Sequence, residues 1–496
     1  MKTPAAARTL RLTLALGLLA TLGATWVAQP TAAAALRFGD GAFERVWVRT
    51  DGPVAAGQAG RSWYWGPAPG MIVREPYAGL PGGSHLVQYF DKSRMEINDP
   101  NGDRNAPWFV TNGLLTGELI AGRVQIGLTQ YEERAPAQIP LASDTDDTTA
   151  PTYASFLPVS NTSRGDHPAA DRTGGSVTAV INRAGAVSND AGRALQATIL
   201  AHYEPKTHHN IPGVFWSYLT ASGPVRETTR LVTAPLSDPW NFATGLPISE
   251  AYWARVKIAG TAQWVLIQAY ERRVLTYVPA NEPQWRVQMG NIGQHYYRYR
   301  YGDAAATLAG AVTRVAAAPS YHVESLVQLQ TPRLLVPFAR QAGDVQAPDR
   351  THFIQQSTDG ISEVVTIGPT LYLSSTQTGG QWQKMSGGNG GTLDIAGLVG
   401  ILQYATHVTA APDEPVGGVP ARHLHMTLDP AQIPTLSGVT YASAEGDLYL
   451  ATATGLPLRL RVTLPLAAGS IQQGTILATI DFSAYGKPVQ IAPPIP

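Results

Sequence analysis

The residues that could do chemistry are few and scattered. His202, Glu204, His208 and His209 fall within the stretch HYEPKTHH. Imidazoles and a carboxylate are zinc ligands, but a helical zinc motif sets two histidines one turn apart on one face. Pro205 interrupts any helix here, so the stretch reads as a polar turn. His423 and His425 alternate along one strand face, where a wet surface accounts for them as well as a metal would. Asp144, Asp146 and Asp147 offer oxygens, but without the loop glycine and closing glutamate of a calcium loop. No Gly-x-Ser-x-Gly elbow is present, and Gly83-Ser84-His85 lacks its flanks. Glycoside cleavage needs two carboxylates at a set distance. Glu75, Asp91, Glu96, Glu250 and Glu271 are available, and read as structural partners of Lys92 and Arg272. The expectation is a non-catalytic protein with no metal and no cofactor.

Two sets of residues suit binding rather than bond-making. Aromatics are dense in the first half, and Trp63, Trp65 and Trp285 are candidates for stacking on sugar faces, set against plain packing. In the second half, Leu371, Leu373, Leu398, Leu402, Leu458, Leu460, Val462, Ile480 and Phe482 could line an apolar cavity or fill a core. A cavity wall and a core wall have the same composition, so the residues alone leave both open.

The elements that must position the second set are legible. In GDLYLATATGLPLRLRVTL (446–464), Leu456, Leu458, Leu460, Val462 and Leu464 share one face, and Arg459, Arg461 and Thr463 the other. Strict period-two alternation marks a sheet with one apolar and one wet face. Further strands are predicted at 321–330, 333–339, 351–357, 361–367, 370–375, 419–428 and 475–482. Helices are predicted over 304–317 and 394–406, the second placing Leu398 and Leu402 on one face.

In the first half, RVWVRT, HLVQYF and RMEIN read as short strands, and an internal repeat is present. Leu86–Met95 matches Leu266–Leu275, and Trp108–Gly113 matches Trp285–Gly290. Gly52-Pro53-Val54 matches Gly223-Pro224-Val225, and Glu75 and Tyr77 match Glu250 and Tyr252. The polar, proline-rich 136–175 reads as a linker between two copies.

Bulk properties bound the partners. The chain has 496 residues, 44% of them apolar and 15% charged, with 49 Gly and 38 Pro. That is a folded, turn-rich chain of several domains. Thirty-six basic residues balance thirty-six acidic ones, so nothing points to nucleic acid. No cysteine is present, which removes disulfides and any lipobox cysteine. Lys2, Arg8 and Arg11 precede a short apolar run, Leu12–Ala28, and small residues up to Ala35. This reads as a secretory signal cleaved near Ala33–Ala35, the alternative being an uncleaved anchor.

From 304 to 494 the chain resembles the LolA-like envelope lipoprotein superfamily, in its LppX/LprG branch. The resemblance rests on SYHVESLV (320–327), VVTIGPTLYLSS (364–375), GGQWQKM (379–385), TATGLPLRLRVTL (452–464) and DFSAYGKPVQIAPP (481–494). It implies a curved antiparallel half-barrel with helices on its concave face and room for acyl chains between them. It also implies a carrier or sensor of lipid, with transient membrane contact, rather than an enzyme. The missing lipobox cysteine departs from the family pattern and leaves the tether open. Through WYWGP (63–67), VQYFDKSRMEI (87–97), TYASF (152–156), YWARV (252–256), QAYERRVLTY (268–277) and MGNIGQHYY (289–297), the first half resembles a secreted bacterial envelope region. Its repeat, with an aromatic, a charged pair, a second aromatic and a late Gly, is similar to LGFP-type wall repeats, which implies contact with wall polysaccharide.

The expected fold class is therefore mainly β (α+β). The expected order is a signal peptide (1–35), aromatic β-rich modules (36–135 and 176–302) around a linker (136–175), and a LolA-like lipid-binding domain (303–496). The expected function is an exported envelope protein that binds a lipid or other apolar ligand. A wall- or glycan-binding adhesion protein is the alternative, and a glycan hydrolase the third reading.

Overall fold

A computed structural model describes residues 37–357, 360–386, 400–433, 439–468 and 473–496. The signal segment and Leu398 lie outside the described residues. The described chain divides into two compact units, Phe38–Gly302 and Asp303–Pro496, with Arg37 grouped with the latter. The expected class, mainly β with a large antiparallel sheet in the second half, is what the structure has.

The first unit opens with helix α1 (Gly41–Ala55). The expected strand at RVWVRT lies inside it. Asp40 caps the helix by accepting the Ala42 amide at 2.7 Å. The apolar residues Phe43, Val46 and Trp47 recur at helical spacing and pack on the core, overriding the period-two look of residues 45–50. An antiparallel meander follows, β1 (Pro69–Pro76), β2 (Ser84–Phe90), β3 (Ser93–Ile97) and β4 (Thr111–Asn112), then helix α2 (Leu115–Ala121). Next come β5 (Arg123–Gln125) with β6 (Tyr131–Glu133), the hairpin β7 (Ala179–Ile181) and β8 (Val187–Asn189), which joins the sheet of a later meander through a parallel contact between Val180 and Trp253, and β9 (Leu200–Glu204) with β10 (His209–Pro212). Helix α3 (Gly213–Leu219) leads to the hairpin β11 (Ser222–Glu227) and β12 (Arg230–Pro235). A second meander, β13 (Tyr252–Ile258), β14 (Thr261–Ala269), β15 (Val274–Tyr277) and β16 (Val287–Met289), ends in helix α4 (Ile292–Tyr301).

The two meanders share strand order, a following helix and register. Gln88 pairs with Met95 across β2–β3, and Gln268 pairs with Leu275 across β14–β15. Each helix start meets the hairpin of the other meander: the Gly117 amide donates to Glu271 O and the Gln294 amide to Asp91 O, both at 3.2 Å. Trp65, Phe90 and Met95 join Trp253, Leu266 and Leu275 in one core, so the unit is not two separate modules. Two of the expected correspondences fail. Gly52-Pro53-Val54 is helical whereas Gly223-Pro224-Val225 is strand. Glu75 lies opposite His85, and its register equivalent is Ala254, opposite Val265; Glu250 precedes β13.

The stretch 136–175 packs within this unit rather than linking modules. Leu141, Tyr153 and Phe156 are buried. Asp147 accepts the Lys257 amide at 2.7 Å and Asp144 the Gly260 amide at 2.8 Å. Carboxylate-to-backbone bonds hold the segment, which is why it shows no periodicity.

The second unit opens with helix α5 (Asp303–Ala316), whose Leu308, Ala311, Val312 and Val315 are buried. Its remaining strands form one sheet of eleven. They are β17 (Ser320–Gln330), β18 (Leu335–Gln346), β19 (Arg350–Ser357), β20 (Gly360–Ile367), β21 (Thr370–Ser375), β22 (Gln383–Ser386), β23 (Thr406–Ala411), β24 (Ala421–Thr427), β25 (Glu445–Ala451), β26 (Pro457–Pro465) and β27 (Thr475–Ser483). The sheet order is β22-β21-β20-β19-β18-β17-β27-β26-β25-β24-β23. Every pairing is antiparallel. Of the expected helix 394–406, residues 394–399 lie outside the described residues, Gly400 is helical, Ile401–Tyr404 form a 3-10 turn, and strand backbone starts at Thr406. Helix α5 lies against that turn and β23.

Candidate functional site: the uncharged face of the large sheet

Antiparallel register fixes which side chains share a face. One row runs Leu424, Leu448, Leu460, Ile480, Ser325, Gln341, Gln355, Ser362 and Ser375. A parallel row on the same face runs Phe482, Val323, Gly343, Phe353, Val364 and Leu373. A third runs Met426, Gly446, Val462, Ala478, Val327 and Ala339. Gly343 lets Phe353 cross the sheet, because a Cβ there would run into the His352 carbonyl and the Phe353 ring. From β17 to β22 and from β25 to β27 this inner face carries no charged side chain. The charges lie opposite: Arg459 pairs with Asp481, and His322 with Asp344.

Leu371, Leu373, Leu460, Val462, Ile480 and Phe482 therefore share the inner face. All but the half-buried Leu373 are buried. Leu458 is half-buried where the β25–β26 register shifts. Leu402 is buried in the 3-10 turn beside α5. The opposite face is partly covered too, by Ile491 against Val365 and Tyr372.

Ser325 and Gln341 were not among the expected residues. They face each other across β17–β18 and are 7% and 4% exposed. Ser325 Oγ and Gln341 Oε1 have no hydrogen-bond partner among the described residues. The signal was available: the inward positions of SYHVESLVQLQ read Tyr, Val, Ser, Val, Leu, with one polar residue out of pattern.

Trp65 cannot offer a surface platform. It is buried, its Nε1 donates to Thr50 Oγ1 at 3.0 Å, and Arg273 lies over its ring. Trp63 is half-buried, and Trp285 is 38% exposed in a 3-10 turn.

The histidines of the first unit serve local structure. His202 stacks on Trp216 with centroids 4.0 Å apart, and His209 reaches Glu250 Oε1 at 3.3 Å. On the outer face of the large sheet, His423 and His425 both contact Asp447, at 2.9 and 3.0 Å. Among the described residues no three ligating side chains converge as a metal site would require.

Asp91 attracts Lys92, and Glu271 attracts Arg272, through space, but the hydrogen bonds of both cations go elsewhere. Lys92 donates to Met289 O at 2.6 Å, and Arg272 to Phe242 O at 2.7 Å. Glu75 is buried among Arg94 (3.1 Å), Arg300 (3.2 Å) and the Tyr89 and Tyr301 hydroxyls (2.6 Å each). Burial alone would push its carboxyl up, but Arg94, His85 and Arg300 outweigh burial and hold it well below the ordinary range. Arg94 also bonds Glu96 at 2.5 Å. This buried ionic lattice joins β1, β2, β3 and α4.

Beside it lies a cavity of about 240 Å³ lined by Glu118, Glu271, Arg123, Tyr131 and Asn161 among others. Two carboxyls border it. Burial raises the Glu118 carboxyl, against the pull of Arg94, and its Oε2 accepts the Tyr296 hydroxyl and, at 2.8 Å, the Gln125 amide. Glu271 accepts the Leu246 amide at 2.9 Å. Both carboxyls thus hold backbone in place.

No family model and no curated protein matches the chain. Among solved structures it is similar to the lipoprotein LppX of Mycobacterium tuberculosis, at 14% identity and a TM-score of 0.28, over 38% of this chain and 100% of that one. It is similar to LprF from Mycobacterium bovis at 16% identity and a TM-score of 0.28, over 38% and 95%. A LolA-superfamily protein from Nitrosomonas europaea gives 11% identity and a TM-score of 0.20, over 37% and 92%. Likenesses at these scores carry no weight for what this chain binds; its own sheet must do so.

Proposed function

We propose that the second unit binds a lipid or other apolar ligand against the inner face of its large sheet, as a non-catalytic carrier or sensor in an exported envelope protein. One observation carries this reading: the inner face carries no charged side chain from β17 to β22 and from β25 to β27. Eleven strands span roughly 50 Å at about 4.8 Å each. Each acyl methylene buried on such a face contributes about 0.8 kcal/mol without any polar contact. Membrane contact would be transient on this reading; among the described residues no helix is long and apolar enough to cross a bilayer.

The test is native mass spectrometry of the full chain purified from a bacterial host, with organic extraction of what co-purifies. Bound lipid that disappears in Leu460→Trp, whose indole would occupy the face, supports the reading. An apo mass that stays unchanged when lipid vesicles are offered sinks it.

A further inference from the structure

Resting on that reading, we propose that Ser325 and Gln341 form a polar subsite selecting an uncharged amphiphile, whose ester, amide or hydroxyl group they hydrogen-bond in the middle of the sheet. The pair sits where the long cross-strand row changes character. On one side it continues as Ile480, Leu460, Leu448 and Leu424, all fully buried and apolar. On the other it continues as Gln355, Ser362 and Ser375, which are half-buried. The row is thus an apolar track that becomes a polar one and grows more exposed toward β21. An amphiphile fits it in one sense: chain along Ile480 and Leu460, first polar group at Ser325 and Gln341, headgroup toward the β21 side.

A buried hydroxyl or amide oxygen without a partner is costly, and such groups are rare in folded proteins. Two of them, side by side on the face proposed to take the ligand, point to a partner that arrives with it. The partner must be neutral. Among the described residues the inner face offers no cation from β17 to β22 or from β25 to β27 to offset a phosphate or carboxylate; Arg459, Arg461 and Lys384 alternate to the opposite face, and Arg422 sits on β24, at the far apolar end of the row. Burying an uncompensated anion there would be far more costly than burying an ester.

The experiment uses the full chain and three probes that share an aliphatic body: dioleoylglycerol, dioleoyl phosphatidic acid and hexadecane. Each is titrated as a competitor of a fluorescent apolar dye. Dioleoylglycerol is expected to bind about tenfold or more tightly than phosphatidic acid. Ser325→Ala and Gln341→Met are each expected to weaken dioleoylglycerol about five- to tenfold, the worth of one hydrogen bond, and to leave hexadecane unchanged or tighter. The ligand-free variants should melt at or above the wild-type temperature, because an unpaired buried polar group has been removed. Equal binding of the neutral and anionic lipids, or dioleoylglycerol affinity unchanged in both variants, overturns the subsite. A lower melting temperature in both ligand-free variants makes the pair structural and overturns it too. Failure of all three probes to displace the dye overturns the underlying ligand reading, an outcome distinct from the others.

Discussion

At the scale of single residues, burial rather than reactivity decides what the ionisable groups do. His295 is half-buried, its ring enclosed by its neighbours, and meets the Tyr153 hydroxyl through Nδ1 at 2.9 Å. Burial first, then Arg298 and Lys92, push its pKa down to about 4, against about 6.5 in an unfolded chain. Between those values the unfolded chain holds the extra proton, so stability falls as pH drops from about 6.5 to about 4. Asp51 has the opposite sign. Burial, outweighing the amides of Tyr64, Trp65 and Gly66, raises it to about 6. Its contribution is present below about 3.8 and is lost as pH rises through about 6. The two partly cancel in the wild type, so the informative quantity is a difference. His295→Gln removes the opposing slope, so the urea midpoint of the first unit is expected to fall more steeply, relative to wild type, as pH rises from about 4 to about 6, where Asp51 loses its proton. An unchanged profile would show that His295 already titrates freely. Little of this was legible in the sequence. Glu75 and Arg94 are nineteen residues apart, and only the fold brings them to 3.1 Å. Reading acids with their nearest bases in sequence finds the attraction of Asp91 for Lys92 and of Glu271 for Arg272 but misses the Glu75–Arg94 pair.

At the scale of elements, reading succeeded where one period dominated. In the second unit β17, β26 and β27 alternate and α5 keeps its i, i+3, i+4, i+7 apolar positions, and these lie close to where the pattern puts them. The expected strand 333–339 runs instead from Leu335 to Gln346, and β22 and β23 were not expected. Reading failed where two periods overlay, as in α1, whose Val46 and Val48 mimic a strand. Long-range bonds were invisible, and the clearest case is the crossing of the two meander helices. At Gly293 in α4 a Cβ would run into the carbonyl oxygens of Phe90 and Ser93. Gly117, the corresponding contact in α2, has only Glu271 O nearby, at 3.9 Å. Gly293→Ala should therefore destabilise the first unit by about 2 kcal/mol or more through overpacking. Gly117→Ala should be neutral, or stabilise by up to about 1 kcal/mol through helix propensity. Thermal melts of the two variants check this, and equal shifts would mean that the close approach at α4 relaxes freely.

At the scale of the whole molecule, the division between Gly302 and Asp303 gives each half its own interior. The first unit's core gathers Phe43, Trp65, Phe215, Trp253 and Leu275 from both meanders and their helices. The second unit's interior rests on the inner face of the large sheet, with Leu308 of α5 fully buried. Two interiors built from different residues should unfold independently, so we expect two thermal transitions in the full chain. Leu308→Ala removes a fully buried side chain and should cost about 2–5 kcal/mol in the second unit. Gly293→Ala should act on the first alone. Calorimetry of the two variants separates these effects: each should lower one transition and leave the other in place. Adding dioleoylglycerol should raise only the transition that Leu308→Ala lowers, since a ligand stabilises the unit that binds it. Both transitions moving together in either variant would show a single cooperative molecule and overturn the independence of the halves. A rise confined to the other transition would move the apolar site to the first unit, against everything the uncharged face of the large sheet implies.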